Sequence, residues 1–331
     1  MNFFKKLIAL LLVLLMVFAF VSCGNENEST TTVIPTQSEP NQTEPEELGS
    51  PLLWKATDSD GNIIYFFGTI HVGNKKSNTV LKQLQPILHQ CDALAVEFDV
   101  VAYSNNIAQQ TQDLQLFLYK DGTNIKDHIP QEIYDSVVSL LRGAGLYSSV
   151  YNRYKPGLWY SLISEAMIRN TSLSSDKAMD SLLINDAYNS NIEVLSVESA
   201  SFQTELLANL PDDLYLLLFE QELNAIDSYG ETIEALYESW FNGDEDSLYL
   251  LLSEDSESDE EYSESQIELI EDFNYKMTTE RNVGMANKAK EYISSGKTVF
   301  FAVGTAHFLG NDGIISLLEN EGFSFERIDL K

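Results

Sequence analysis

The stretch "IIYFFGTIHVGN", residues 63–74, begins with β-branched and aromatic residues and ends in Gly-Thr-x-His followed by Gly-Asn. Near the other end of the chain, "TVFFAVGTAHFLGN", residues 298–311, follows the same plan. Each is typical of a strand that is buried on both faces and ends in a polar loop. Two of the four histidines, His71 and His307, occupy matched positions in the two stretches. We therefore expect both strands to lie in one sheet, with their histidines at the same edge.

The rest of the chain alternates between strand and helix patterns. The dipeptide Asp60-Gly61 is a strong hairpin signal, which predicts that residues 52–59 pair with the next strand. Residues 78–90 have helical spacing, and Pro86 should kink or split that helix. Further strands are predicted at 93–100, 191–199 and 323–330, and further helical regions at 107–187, 211–227, 277–293 and 313–320. The expected fold class is α/β, with a central mixed sheet flanked by helices and a helical insertion.

The N-terminus is typical of a secretory signal. Residues 1–23 carry two lysines and then a long apolar run that ends in "FVSC". This ending resembles the lipobox of bacterial lipoproteins, which implies cleavage before Cys23 and lipidation of its thiol; the alternative is an uncleaved membrane anchor. Residues 24–50 are polar and Pro-containing, so we predict a flexible linker between the anchor and a domain over 51–331. The protein is thus expected outside the cytoplasm, lipid-anchored to the cell membrane.

Charge and cysteine content exclude some classes of partner. The chain has 51 acidic and 20 basic residues, a formal net charge of −31, which argues against nucleic acid and anionic lipid headgroups as partners. Much of the acid lies in residues 253–272, where a solvated loop is expected because the order of a calcium loop is missing. With Cys23 lipidated, Cys91 is the one remaining thiol, and its apolar surroundings predict a buried structural cysteine.

Ionisable residues follow four of the predicted strands at a similar depth. They are His71, Glu97, Glu198 and His307. In open α/β sheets, ligands bind beyond the carboxyl ends of the strands, so this set is the candidate site. Gly68 and Gly304, at the same strand ends, would allow a ligand or another backbone to approach closely.

Two more residues have both a functional and a structural interpretation. Arg281 lies in the apolar stripe of a predicted helix, so its guanidinium needs either an acidic partner or a polar cavity. It would be a structural ion pair in the first case, and a clamp for a substrate carboxylate or oxyanion in the second. Asp180, near a helix start, is either a helix cap or a substrate-binding carboxylate.

The candidate residues support two kinds of chemistry. His71, Glu97 and His307 are a suitable ligand set for a divalent metal with open positions, which would activate water and polarise a carbonyl. Without a metal, the same residues could act as a general base and its orienting partner. The local His-Glu-x-x-His motif of many zinc sites is absent from the sequence, so any site must be assembled from distant strands.

The paired segments "GTIH" and "GTAH" resemble the signature motifs of the TraB/GumN family, which includes the TIKI metalloproteases. Other stretches that match in order are "AVEFD", "YKPGLW", "MDSLLINDAYNSNIEVLSVESASFQTELL", "ERNVGMANKAKEYI" and "FAVGTAHFLGNDGIISLLENEGF". The resemblance implies a fold similar to the erythromycin-esterase and haem-binding lipoprotein groups, and a peptidase dependent on manganese or cobalt. Carried onto this sequence, the implied site is Gly68, His71, Glu97, Gly304 and His307, with Arg281 as a further candidate. The glycines that often flank the acidic residues in the family are absent beside Asp180 and Glu198.

These observations lead to a main hypothesis and two alternatives. The main hypothesis is a surface-tethered, divalent-metal-dependent hydrolase that acts on a peptide or small protein. The first alternative is a binding protein that sequesters a peptide signal without cleaving it. The second is haem binding through histidines and tyrosines, which has less support. The sequence leaves open the substrate, the choice among manganese, cobalt and zinc, and the oligomeric state.

Overall fold

A computed structural model describes residues 47–252 and 262–330 of the chain. The predicted signal peptide, the lipidation site at Cys23, most of the predicted linker and the most acidic part of residues 253–272 lie outside these ranges. Among the described helices, none is both long and apolar enough to cross a bilayer. Gly49 and Ser50, at the end of the predicted linker, already contact the folded part: Gly49 exchanges two hydrogen bonds with the side chain of Gln83.

Six strands form one mixed sheet in the described residues, as the sequence predicts. Their order across the sheet is β4-β3-β5-β2-β1-β6. β2, β5, β3 and β4 are mutually parallel, whereas β1 is antiparallel to both β2 and β6. The strands are β1 Leu53–Thr57, β2 Ile63–Thr69, β3 Ala93–Val96, β4 Glu193–Ser196, β5 Val299–Gly304 and β6 Ser324–Arg327.

The two Phe-rich strands lie side by side at the centre. Thr69 of β2 pairs with Gly304 of β5, so both strands end at the same level. Every residue of β5 is buried, which explains why its sequence is apolar without alternation. Phe66 packs on Phe301 with ring centroids 5.3 Å apart, a tilted contact worth about 0.5–1.5 kcal/mol beyond burial. This register brings the two Gly-Thr-x-His segments to one edge.

Helices and short 3₁₀ turns connect the strands. Two long helical stretches precede and follow β4, so the helical insertion is divided by a strand. The helices are α1 Lys75–Leu88, α2 Val100–Ser104, α3 Ile107–Leu114, α4 Gln131–Gly143, α5 Pro156–Ile168, α6 Met179–Asn189, α7 Ala200–Ala208, α8 Asp212–Asn242, α9 Glu245–Leu252, α10 Glu264–Asn274, α11 Glu280–Ser294 and α12 Ile314–Glu319.

The structure corrects three local expectations. Pro86 does not split α1, because it lies in the last turn and the helix ends only two residues later. Residues from Glu264 onward belong to a capped helix, α10, rather than to a solvated loop, since Ser263 and Gln266 form a capping box. A π-helical turn, Tyr275–Thr279, precedes α11 and was not anticipated. Cys91 is a free, buried cysteine, as expected.

Candidate functional site

The carboxyl ends of the four parallel strands bring the predicted residues together. Glu198 and Glu97 follow β4 and β3, and His307 and His71 follow β5 and β2. His71, Glu97 and His307 are each at most 2% exposed. The strand-end argument therefore predicts correctly which ionisable side chains share one edge of the sheet.

A narrow gap separates the two histidines from Glu97. Nε2 of His71 and Nε2 of His307 each lie 3.9 Å from the same carboxylate oxygen, Oε1 of Glu97. This is too far for a hydrogen bond, and both nitrogens are buried without a partner. Buried polar atoms in folded proteins nearly always have a partner, so this pair points to a missing species between them.

The other ring nitrogen of each histidine is held by an oxygen acceptor. Nδ1 of His71 lies 2.8 Å from Oδ2 of Asp180, and Nδ1 of His307 lies 2.6 Å from Oδ1 of Asn282. Because both acceptors lack a proton to offer, Nδ1–H is the donor in each pair. A neutral imidazole held in this way presents the lone pair of Nε2 toward Glu97.

Asp180 is a positioning residue rather than a helix cap. It lies in the first turn of α6, but the helix has no side-chain cap, and its carboxylate accepts instead from Thr69 and His71. The cap interpretation is therefore wrong. The reason is tertiary: α6 packs so that its first turn meets the end of β2, a contact that the sequence pattern of α6 does not show.

Arg281 forms a buried ion-pair cluster with two glutamates. Its Nη2 lies 2.7 Å from Oε2 of Glu97 and 2.8 Å from Oε2 of Glu198, and its Nε also donates to Glu198. Its Nη1 donates to the carbonyl of Met277, one turn earlier. The side chain of Arg281 is 1% exposed and has the acidic partners that the structural interpretation requires; the clamp role stays a prediction.

Three supporting residues were missed by the sequence analysis. Gln203 of α7 bridges Glu97 and Glu198 with its side-chain amide, and Thr69 donates to Asp180. Asn282 holds His307 and donates to the carbonyl of Asp312. The signal in the sequence for Asn282 is its position next to Arg281 in the quoted stretch "ERNVGMANKAKEYI".

The electrostatic surroundings give the two histidines different proton affinities. Burial lowers the pKa of His71, but the Asp180 carboxylate outweighs burial and raises it above its ordinary value. Burial and the nearby Arg281 charge lower the pKa of His307 to about 3, since its partner Asn282 is uncharged. Burial raises the pKa of Glu97, but Arg281 and both histidines more than offset this and lower it to about 2. His307 is thus neutral and Glu97 ionised at neutral pH.

The two glycines of the signature segments have different roles. A Cβ on Gly304 would lie 3.2 Å from Oε1 of Glu97 and 3.5 Å from Nε2 of His71, inside the gap. The Gly304 amide also donates to Oε1 of Glu97 at 3.0 Å. A Cβ on Gly68 would instead collide with Thr305, 2.6 Å from its hydroxyl. Gly304 therefore keeps the gap open, whereas Gly68 allows close packing of the strand ends.

The residues around the gap fit a divalent cation in donor type and charge. The cluster holds three carboxylates and one guanidinium: Arg281 pairs with Glu97 and Glu198, and Asp180 pairs with His71, so acidic groups outnumber the guanidinium. Two donors bound to one ion at a tetrahedral angle, with bonds of about 2.0–2.2 Å, lie about 3.3–3.6 Å apart, which is less than the 3.9 Å between each Nε2 and Oε1 of Glu97. In the described residues, however, no group of three His, Cys, Asp or Glu side chains is already drawn together as a metal site. The donors are present, but a bound ion would have to draw them closer.

Comparison with known proteins confirms the family resemblance. The family model described as the TraB/PrgY/gumN family matches residues 52–327. The metalloprotease TIKI2 of Xenopus tropicalis is 24% identical over 311 residues, which covers 79% of this chain. The match spans only 57% of that relative's length. No solved structure matches the chain. Since the family model covers most of its length, this chain belongs to the TraB/PrgY/gumN family.

Proposed function

We propose that the protein is a divalent-metal-dependent hydrolase that cleaves a peptide. The observation that carries this proposal is the pair of orphaned, buried Nε2 atoms, both 3.9 Å from one oxygen of Glu97. His71, His307 and Glu97 would hold the metal, with manganese or cobalt favoured by the family resemblance and zinc as an alternative. A metal there would supply Lewis acidity toward a water and a carbonyl. The relative named a metalloprotease supports the same reaction class.

The chain's own residues prepare the ligands in this proposal. Asp180 and Asn282 fix the ring orientation of His71 and His307, a contribution typically worth 10–100-fold in metal affinity. Arg281 and Gln203 hold Oε2 of Glu97, so that Oε1, which accepts one hydrogen bond from the Gly304 amide, faces the gap with its remaining lone pair. Substrate-binding roles for Glu198 and Gly304 stay predictions: Glu198 is engaged by Arg281, and Gly304 lines the gap.

Metal content tests the proposal directly. The full chain, purified in mild detergent and dialysed against manganese, cobalt or zinc, should retain about one ion per chain. The double variant His71→Ala/His307→Ala should release it, whereas His89→Ala/His128→Ala should not. The control removes the same number of histidines; they pair with Asp186 and Asp212, neither of which contacts His71, Glu97 or His307. Equal metal content in both double variants would contradict the assignment.

A second candidate function is a protein that sequesters a peptide signal without cleaving it. The burial of the histidines favours this alternative, because His71 and His307 are only 2% and 0% exposed. Mass spectrometry of peptides incubated with the metal-loaded chain separates the two functions. Peptide fragments support the hydrolase, and intact bound peptides support the sequestering protein. The cavity beside His71 is far smaller than a porphyrin, so haem binding is not proposed.

Membrane tethering through lipid on Cys23 is part of the same proposal, as is a fold akin to the erythromycin-esterase and haem-binding lipoprotein groups. The lipobox-like ending of residues 1–23 supports the first. Cys23→Ser should abolish incorporation of a labelled fatty acid into the protein, because it removes the thiol that carries the lipid. Continued lipid labelling of that variant would contradict the anchor. The family resemblance and the mixed sheet support the proposed similarity in fold.

A further inference from the structure

A small apolar cavity opens beside His71, on the side of the strand ends that faces α8 and α9. Its floor is formed by the strand-end segments around Ile70 and Gly304. Its walls come from Leu236 and Trp240 of α8 and from Leu248 of α9. The cavity gives about 30 Å³ of room for the centres of water-sized spheres. A single water needs roughly 10–15 Å³ on this measure, so the cavity admits a few waters or one branched aliphatic group.

The polar side-chain atoms around this cavity are paired, with one exception. Nε1 of Trp240 donates to the carbonyl of Gly68 at 2.8 Å. The Thr305 hydroxyl donates to the carbonyl of Thr69, and the Thr69 hydroxyl donates to Asp180. The exception is Nε2 of His71, which belongs to the gap described above. A polar group entering the cavity would therefore lose its hydration without gaining a partner, whereas an apolar group would lose little.

We propose that this cavity is a specificity pocket that takes a Val- or Leu-sized side chain of the peptide next to the bond under attack. The inference rests on the proposed function in one respect, namely that the His71–Glu97–His307 gap is where the substrate reacts. Because His71 and Gly304 border both the gap and the cavity, one peptide can occupy both at once. Trp240, Leu248 and Leu236 are then specificity-determining residues.

The chemistry of the lining sets the expected selectivity. Burial of one methylene group favours binding by about fourfold, so Val or Leu should exceed Gly by tenfold or more. Asn, which is close to Leu in size but polar, should bind at least tenfold more weakly than Leu. Phe should be excluded from the wild-type pocket by its size, because packed interiors do not yield easily to added volume.

The test uses the full chain in mild detergent, loaded with manganese. The probes are acetylated pentapeptides of Gly and Ser with Gly, Val, Leu, Asn or Phe at the central position. Binding is measured by calorimetry, and cleavage of the same peptides by mass spectrometry. In the variant Leu248→Ala, the preference should move from Val toward Phe by about fivefold or more, because the removed atoms enlarge the pocket. The control Leu141→Ala truncates an equally buried leucine of α4 and should leave the preference unchanged.

The outcomes distinguish the pocket from the reaction. Selective binding of Val and Leu without cleavage upholds the pocket and overturns the hydrolase. Cleavage with less than twofold difference among the peptides upholds the hydrolase and overturns the pocket. Absence of binding by every peptide, or the same shift in Leu141→Ala as in Leu248→Ala, also overturns the pocket.

Discussion

Replacement of Arg281 by methionine tests whether the cation at the site is structural. Arg281 is buried, and its guanidinium is the partner of both Glu97 and Glu198. Methionine keeps an unbranched stem of comparable length but removes the charge and the donors. Two carboxylates, one of them fully buried, would then lose their cation.

The expected loss is large because the change leaves an uncompensated buried charge. Removal of one partner of a buried ion pair costs about 3–5 kcal/mol, against about 0–1 kcal/mol for an exposed pair. At roughly 2–4 °C per kcal/mol for a chain of this size class, Tm should fall by about 6–20 °C. A matched surface control is Lys76→Met, which breaks the partly exposed pair with Glu238. That control should cost no more than about 1 kcal/mol.

Urea unfolding at neutral pH measures both variants, and a double-mutant cycle identifies the cause. Adding Glu97→Gln to Arg281→Met removes the more deeply buried of the two uncompensated charges. The double variant should therefore be more stable than the sum of the two single effects, by about 1–3 kcal/mol. A cost below about 1 kcal/mol for Arg281→Met, or additivity within about 0.5 kcal/mol, would refute a structural ion pair and restore the substrate-clamp interpretation.

Substitutions at three other buried positions separate the site from the scaffold. Gly304→Ala should change the free energy of unfolding by no more than about 1 kcal/mol, because φ at this residue is −49°, which alanine adopts readily. The variant should nevertheless lose metal retention, because the added Cβ enters the gap. Unchanged metal content by elemental analysis would contradict this. Asp180→Asn should weaken metal affinity by about 10–100-fold, because the His71 ring loses the carboxylate that orients it. Competition with a chelator measures the affinity. Equal affinity in the variant and the wild type would assign Asp180 a packing role. Burial raises the pKa of Glu222 to about 8, so its contribution to stability is intact below about 4.5 and is lost as pH rises toward 8. Glu222→Gln should therefore be more stable than wild type by about 3 kcal/mol near pH 7, and no more stable than wild type near pH 4. Urea unfolding at both pH values measures the difference. A difference that does not change with pH would show that Glu222 is not buried in its protonated form.

Much of the architecture could be predicted from local patterns. The Asp60-Gly61 hairpin, the two buried Phe-rich strands and the strand after α1 all follow from periodicity and turn chemistry, which act over a few residues. Two errors concern helix ends, where position within the helix and capping decide the outcome. Pro86 is tolerated because it lies near a helix end, and residues 264–272 are helical because Ser263 and Gln266 cap them and their apolar face packs inward.

The candidate site shows the same division. The strand-end rule selected His71, Glu97, Glu198 and His307, because parallel strands bring their carboxyl ends to one edge whatever their order. The rule could not select Gln203 or Asn282, which are ordinary polar helical residues until α7 and α11 pack against that edge.

The sequence by itself determined the family, the class of fold and which ionisable side chains meet at one edge, since strand periodicity and the repeated Gly-Thr-x-His segments are local properties. Only the tertiary structure decided what these side chains do to one another. Arg281 is committed to two glutamates, Asp180 orients His71 rather than capping α6, and Gly304 keeps open a gap between two unpaired imidazole nitrogens and Glu97. Each depends on distances between elements far apart in the chain, and those distances are set by packing, which a single sequence does not encode in any short pattern.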